Sequence, residues 1–79
     1  MTGNYFNFGS LNYLIVEADK VDDILYIMWD KDEGTLKIIV KPNYDIDSVL
    51  DFRKNHVPLG IYSKVIVEEN YELLKQGGL

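Results

Sequence analysis

The chain has 79 residues, of which 47% are hydrophobic and 13% aromatic. This length fits one domain with a thin hydrophobic core, and the hydrophobic content excludes a disordered chain. Thirteen acidic and eight basic residues give a net charge of −5, which repels phosphate backbones, and the lack of cysteine excludes disulfides and thiolate metal sites.

No targeting signal is visible in the sequence. The first ten residues, MTGNYFNFGS, lack the basic and then apolar layout of a signal peptide. No apolar run approaches the roughly 20 residues that span a bilayer. The lack of cysteine is compatible with a reducing compartment. We therefore expect a cytoplasmic protein that binds neither membranes nor nucleic acid.

The first half of the chain is predicted to form three strands. Residues 1–9 are expected to be flexible and to enter the fold only at their end. Residues 11–18, LNYLIVEA, are rich in β-branched and aromatic types and predict the first strand. Residues 24–29 and 35–41 predict the second and third strands, joined by a hairpin loop in which Gly34 adopts a positive φ.

The spacing of apolar residues changes to three and four from Asp45 onward, which predicts a helix that ends before Pro58. The expected apolar stripe is Ile46, Val49 and Leu50, with Phe52 at its margin. The candidate N-caps are Asp45, Asp47 and Ser48.

The remaining sequence predicts one more strand, at residues 61–67, and a short helix in EENYELLKQGG closed by Gly77, with residues 76–79 frayed. The element order is then βββαβα. We predict a single small α+β domain over residues 1–79. Its antiparallel meander and fourth strand form one mixed sheet packed by one or two helices.

The acidic tetrad after the second strand has two interpretations, a cation site or a turn. An EF-hand loop that began at Asp30 would require glycine at its sixth position and glutamate at its twelfth, but Gly34 is fifth and Lys41 twelfth. The interpretation that we favour is a solvated hairpin loop. No metal site is predicted.

Catalytic and cofactor motifs are not recognisable either. His56 is the only histidine, and its place before Pro58 is typical of a residue that interacts with the helix dipole. The glycines form neither a P-loop nor a dinucleotide fingerprint. We predict no catalytic residue and no cofactor, and we expect a non-enzymatic protein.

The second strand is apolar on both sides, which is the remaining positive signal. Leu25, Ile27 and Trp29 alternate with Ile24, Tyr26 and Met28. Either the strand is central and covered on both faces, with the N-terminal YFNF segment or the C-terminal helix across the second face, or one face contacts a partner. The hypothetical partner-binding residues are Tyr26, Met28, Trp29, Asp30, Asp32, Glu33, Asp22, Asp23 and Tyr62.

These features favour a small acidic protein-interaction module of the inhibitor, antitoxin, immunity or phage counter-defence type. Its partner would be another protein or a second copy of itself. One alternative is a small-ligand-binding domain with a pocket lined by Tyr26, Trp29, Tyr44 and Tyr62. A further alternative is an enzyme in which His56 acts with Asp51 or Asp45.

Overall fold

The structure, a computed structural model, describes residues 8–77 and has the element order αββαβα. None of the helices within these residues is long and apolar enough to cross a membrane. The helices and strands are α1 (Phe8–Asp19), β1 (Ile24–Asp30), β2 (Thr35–Val40), α2 (Ile46–His56), β3 (Tyr62–Val67) and α3 (Tyr71–Gly77).

The three strands form one mixed sheet in the order β1-β2-β3. β1 and β2 make an antiparallel hairpin, and β3 returns through α2 to pair parallel with β2. The predicted hairpin, crossover helix and parallel return are confirmed. Because β2 lies between the other two strands, β1 and β3 are the outer strands of the sheet within residues 8–77.

The predicted strand at residues 11–18 is wrong, since these residues lie within α1. Leu11, Leu14 and Ala18 recur at spacings of three and four, so a helix places them on one face, and Leu14 and Ala18 are buried there. The β propensity of Ile15 and Val16 is overridden by this packing. The βββαβα order and its four strands are therefore not found in residues 8–77.

The hydrophobic core lies between α1 and α2 and one face of the sheet. A bulge near Leu25 shifts the register of β1, so that Ile24 pairs with Val40 whereas Tyr26 pairs with Ile39. Strict alternation of side chains along β1 would place Ile24 on the face opposite Ile27, but both side chains are buried in the same core. The buried core residues are Leu14, Ala18, Ile24, Ile27, Leu36, Ile38, Val40, Val49 and Phe52.

Helix α2 begins after Asp45, whose side chain accepts hydrogen bonds from the Asp47 amide at 3.2 Å and the Ser48 hydroxyl at 2.9 Å. Of the three candidate N-caps, Asp45 is the cap. The predicted apolar stripe is only partly correct: Val49 is buried together with Phe52, whereas Ile46 and Leu50 are exposed.

The C-terminal helix is present as α3. Residues 8 and 9, predicted to be flexible, are the start of α1. Residues 76 and 77, predicted to fray, are the end of α3. The prediction that the N-terminal YFNF segment covers the second face depends mainly on residues 5–7, which lie outside the described residues, as do residues 78 and 79.

Candidate protein-interaction surface

One face of the sheet, called the open face below, lies opposite the core and opposite α1 and α2. The strand register gives its members, because side chains alternate between the two faces on either side of the bulge. Its residues are Tyr26, Met28 and Asp30 of β1, Thr35, Lys37 and Ile39 of β2, and Tyr62, Lys64 and Ile66 of β3.

The open face carries large side chains that are in contact with water. Tyr26 is 49% exposed, Met28 45% and Tyr62 67%. Ile39, in the central strand, is nevertheless buried. Tyrosine and methionine on a flat surface are favoured in the cores of protein interfaces, because they offer large contact area with adaptable geometry. Four of the nine predicted partner-binding residues, Tyr26, Met28, Asp30 and Tyr62, therefore lie on this surface.

The hairpin turn holds Asp30 and two more of the predicted residues, Asp32 and Glu33, and the Asp30 carboxylate has a structural role. Asp30 accepts hydrogen bonds from the amides of Asp32 at 3.0 Å and Glu33 at 3.1 Å, and its second oxygen lies 2.9 Å from Lys37 Nζ. The hydrogen bond from Lys37, followed by that from the Glu33 amide, holds the pKa of Asp30 below its ordinary value. Gly34 has φ 64°, as predicted. These residues turn the chain.

The other predicted acidic pair, Asp22 and Asp23, lies at the opposite end of the sheet. Asp23 accepts from the Asp45 amide at 2.6 Å and lies 3.1 Å from Lys41 Nζ. The hydrogen bond from the Asp45 amide, followed by that from Lys41, lowers the pKa of Asp23. Asp23 thereby ties the loop before β1 to the start of α2, while Asp22 remains exposed to solvent.

The structure does not bring the two acidic segments together. The hairpin turn borders Thr35 at the start of β2, whereas Asp23 bonds to Lys41, just past its end. Six residues of extended strand separate these ends by about 20 Å. The acidic groups thus flank the open face at its two ends. Among residues 8–77 no cluster of three or more histidine, aspartate or glutamate side chains is arranged to hold a metal ion.

Trp29 lies on the other side of the sheet from Tyr26 and Met28. It packs against the core, as does Tyr44. The pocket predicted to be lined by Tyr26, Trp29, Tyr44 and Tyr62 therefore does not form, because its four aromatic rings are divided between the two faces. Regular alternation along β1 from Tyr26 to Trp29 causes this division.

A polar contact between α1 and α2 was not predicted. The Tyr13 hydroxyl lies 2.7 Å from His56 Nδ1, and His56 Nε2 lies 3.8 Å from Glu17 Oε1. In the neutral ring with hydrogen on Nε2, Tyr13 donates to Nδ1. The His56 ring also packs 5.4 Å from that of Phe52. Tyr13 and Glu17 are four residues apart, so a helix places them on the same face. This spacing was the sequence signal for the contact, but it carries no meaning in the strand that the sequence predicted for residues 11–18.

The Tyr13–His56 contact joins α1 to α2. Asp51 and His56 both line a groove of about 500 Å³ between α2 and the loop that follows α1, and Tyr13 does not line it. The ring nitrogens of His56, however, face Tyr13 and Glu17 of α1, and not the Asp51 or Asp45 considered as catalytic partners. Because Tyr13 is half exposed and bonded to a single ring nitrogen, the arrangement is that of a helix–helix contact.

Comparisons with protein-family models, with curated proteins and with solved structures found no match.

Proposed function

We propose that this chain is a non-catalytic protein-interaction module that binds a basic protein partner through its open face. The observation that carries the proposal is the exposure of Tyr26, Met28 and Tyr62 on the face of the sheet opposite α1 and α2. Burial of such side chains supplies binding free energy, and tyrosine is enriched among the residues that dominate protein interfaces.

The charge distribution indicates what kind of partner fits. The chain has a net charge of −5. Exposed carboxylates flank the open face at both ends, with Asp32 and Glu33 at the hairpin turn and Asp22 at the other end. A partner with an apolar site rimmed by lysine and arginine would be attracted over distance and would then bury the tyrosines. Small inhibitors, antitoxins, immunity proteins and counter-defence proteins act by such one-to-one binding.

The test compares two serine variants of exposed residues. Tyr62→Ser changes the open face, and Leu59→Ser changes a fully exposed residue of the loop before β3. The immobilised chain is incubated with a lysate of the cells that make it, and each retained protein is identified and purified. Its affinity is then measured for both variants and at several salt concentrations.

We expect to retain a basic protein whose affinity for Tyr62→Ser is about tenfold or more below its affinity for wild type, and whose affinity for Leu59→Ser is unchanged. Its binding should weaken as the salt concentration rises, because the charge attraction is screened. A retained protein that binds both variants equally would contradict the proposal, as would a retained protein that is acidic.

A further inference from the structure

Helix α2 carries apolar residues on its exposed side as well as on the side that faces the core. The core side has Val49 and Phe52, which are buried. On the exposed side, Ile46 and Leu50 lie four residues apart and are 55% and 46% exposed. Lys54, another four residues on, continues this line, and the aliphatic part of its side chain extends the apolar surface. These three residues are called the outer stripe of α2 below.

The charges beside the outer stripe are divided between the two ends of the helix. Asp47 is in the first turn, whereas Arg53 and Lys54 are in the last turn. Arg53 donates a hydrogen bond through Nε to the Ser63 hydroxyl at 3.0 Å, which holds it against β3. Asp47 and Lys54 take part in no ion pair within residues 8–77. Their charges are therefore available to another molecule.

This division of charge makes the outer stripe complementary to itself in the reversed direction. In an antiparallel pair of α2 helices, the acidic end of each helix meets the basic end of the other. A two-fold axis level with Leu50 brings Asp47 of one copy to within about 1.5 Å of the level of Lys54 of the other. Both residues lie in the same direction around the helix from Leu50, by about 60° and about 40°, so they meet across the axis. Asp51, about 100° from Leu50, lies outside the contact.

We propose that α2 pairs antiparallel with α2 of a second copy of this chain, with Leu50 at the centre of the contact and Asp47 of each copy beside Lys54 of the other. A second copy supplies the matching order of charges by symmetry, whereas a foreign partner would have to reproduce it. The open face lies on the opposite side of the sheet from α2, so the dimer leaves it accessible. The dimer is a second interaction of the chain and does not depend on the basic partner proposed above.

The size of the outer stripe sets the expected strength of the dimer. Two half-exposed aliphatic side chains and a lysine stem in each copy cover much less than the roughly 800 Å² that each partner buries in a standard interface. Exposed ion pairs add little, and two chains of net charge −5 repel each other at longer range. We expect a dissociation constant on the order of 100 μM at physiological salt.

Sedimentation equilibrium of the purified chain, from low micromolar to millimolar concentration, measures this association. We expect a reversible dimer of twice 9.1 kDa. Lys54→Glu should weaken it about tenfold or more, because the new carboxylate meets Asp47 of the other copy. The matched control is Lys64→Glu, which makes the same change in net charge at an exposed residue of the open face and should leave the dimer nearly unchanged.

A charge swap separates this contact from the dipole of α2, which also favours acidic residues in the first turn and basic residues in the last turn. The double variant Asp47→Lys with Lys54→Glu keeps the net charge of wild type but opposes the dipole twice. It should therefore unfold more easily than Lys54→Glu alone. Its dimer should nevertheless recover to within about threefold of the wild-type dissociation constant, because the two charges again meet with opposite signs.

Cysteine cross-linking supplies a second readout, since the chain contains no cysteine of its own. Leu50→Cys and the control Ile15→Cys replace side chains that are 46% and 44% exposed. On oxidation, Leu50→Cys should form a disulfide-linked dimer about tenfold faster than Ile15→Cys, because the two-fold axis places residue 50 beside its counterpart.

A wild-type chain that is monomeric at millimolar concentration would overturn the proposal. So would a Lys54→Glu variant that dimerises like wild type, or equal rates of cross-linking at the two cysteines. A double charge variant with native circular dichroism whose dimer is not restored would also overturn it.

Discussion

Replacing single apolar residues of α1 with alanine distinguishes the helix from the strand that the sequence suggested. In the helix Leu14 is 1% exposed, whereas Ile15 and Val16 are 44% and 56% exposed. In a strand, Leu14 and Val16 would share one face, and Tyr13 and Ile15 would share the other. Any buried strand would therefore bury either Ile15 or Val16.

The loss of unfolding free energy expected for Leu14→Ala is large compared with the total stability of a chain of this size. Truncating a fully buried leucine costs about 3 kcal/mol or more in unfolding free energy, because transfer energy is lost and a cavity remains. A domain of 79 residues has roughly 4 to 12 kcal/mol in total. Ile15→Ala and Val16→Ala should each cost less than about 1 kcal/mol, since their side chains already contact water.

Urea unfolding at low micromolar concentration, followed by the fluorescence of the single tryptophan Trp29, measures these differences. With a slope of about 1 kcal/mol per molar urea, the midpoint of Leu14→Ala should fall by roughly 3 M or more. The two other variants should shift it by less than about 1 M. A loss for Ile15→Ala or Val16→Ala as large as that for Leu14→Ala would refute the position of α1.

Three further outcomes follow from single contacts. The pKa of Asp23 is lower in the folded chain than its ordinary value of 3.8, so its contribution to stability is complete above that value and is lost as the pH falls through the folded pKa. During acid titration from about pH 5 downward, Asp23→Asn should therefore lose less unfolding free energy than wild type. Tyr13→Phe removes the 2.7 Å hydrogen bond to His56 and should lower the unfolding free energy by about 0.5 to 1 kcal/mol in urea titrations; an unchanged midpoint would argue against the contact. Gly34→Ala should lower the unfolding free energy by about 1 kcal/mol, because a φ of 64° is unfavourable for a residue with a Cβ atom. The matched control Gly60→Ala, whose added Cβ has nothing within 4 Å, should have the melting temperature of wild type. Equal melting temperatures for the two variants would contradict the turn geometry.

Local patterns were sufficient to predict most of the elements after residue 20. The short apolar run of β1, the two-residue period of β2 and the acidic, glycine-ended turn between them are strong hairpin signals, and the change of spacing after Asp45 marks α2. The prediction failed at α1, where the sequence predicted a strand. There, Ile15 and Val16 favour a strand, and the spacing of Leu14 and Ala18 is too short a signal to outweigh them before the packing is known.

The candidate surface was predicted only in part, for a related reason. Tyr26, Met28 and Tyr62 do share a face, but Trp29 does not join them. The bulge in β1 was not encoded by a glycine or another local signal, so strict alternation placed Ile24 on the wrong face. The contact between Tyr13 and His56 spans 43 positions of the chain and depends on α1 being helical.

The most direct test of the central proposal is oxidative footprinting of the chain alone and in complex with the protein that it retains. Tyr26 on the open face and Tyr13 on α1 are both 49% exposed, so they form an internal pair with equal access to the reagent. The chain is kept dilute enough to be monomeric. We expect the partner to reduce modification of Tyr26, Met28 and Tyr62 and to leave modification of Tyr13 unchanged. Protection of Tyr13, with continued modification of Tyr26 and Tyr62, would contradict it.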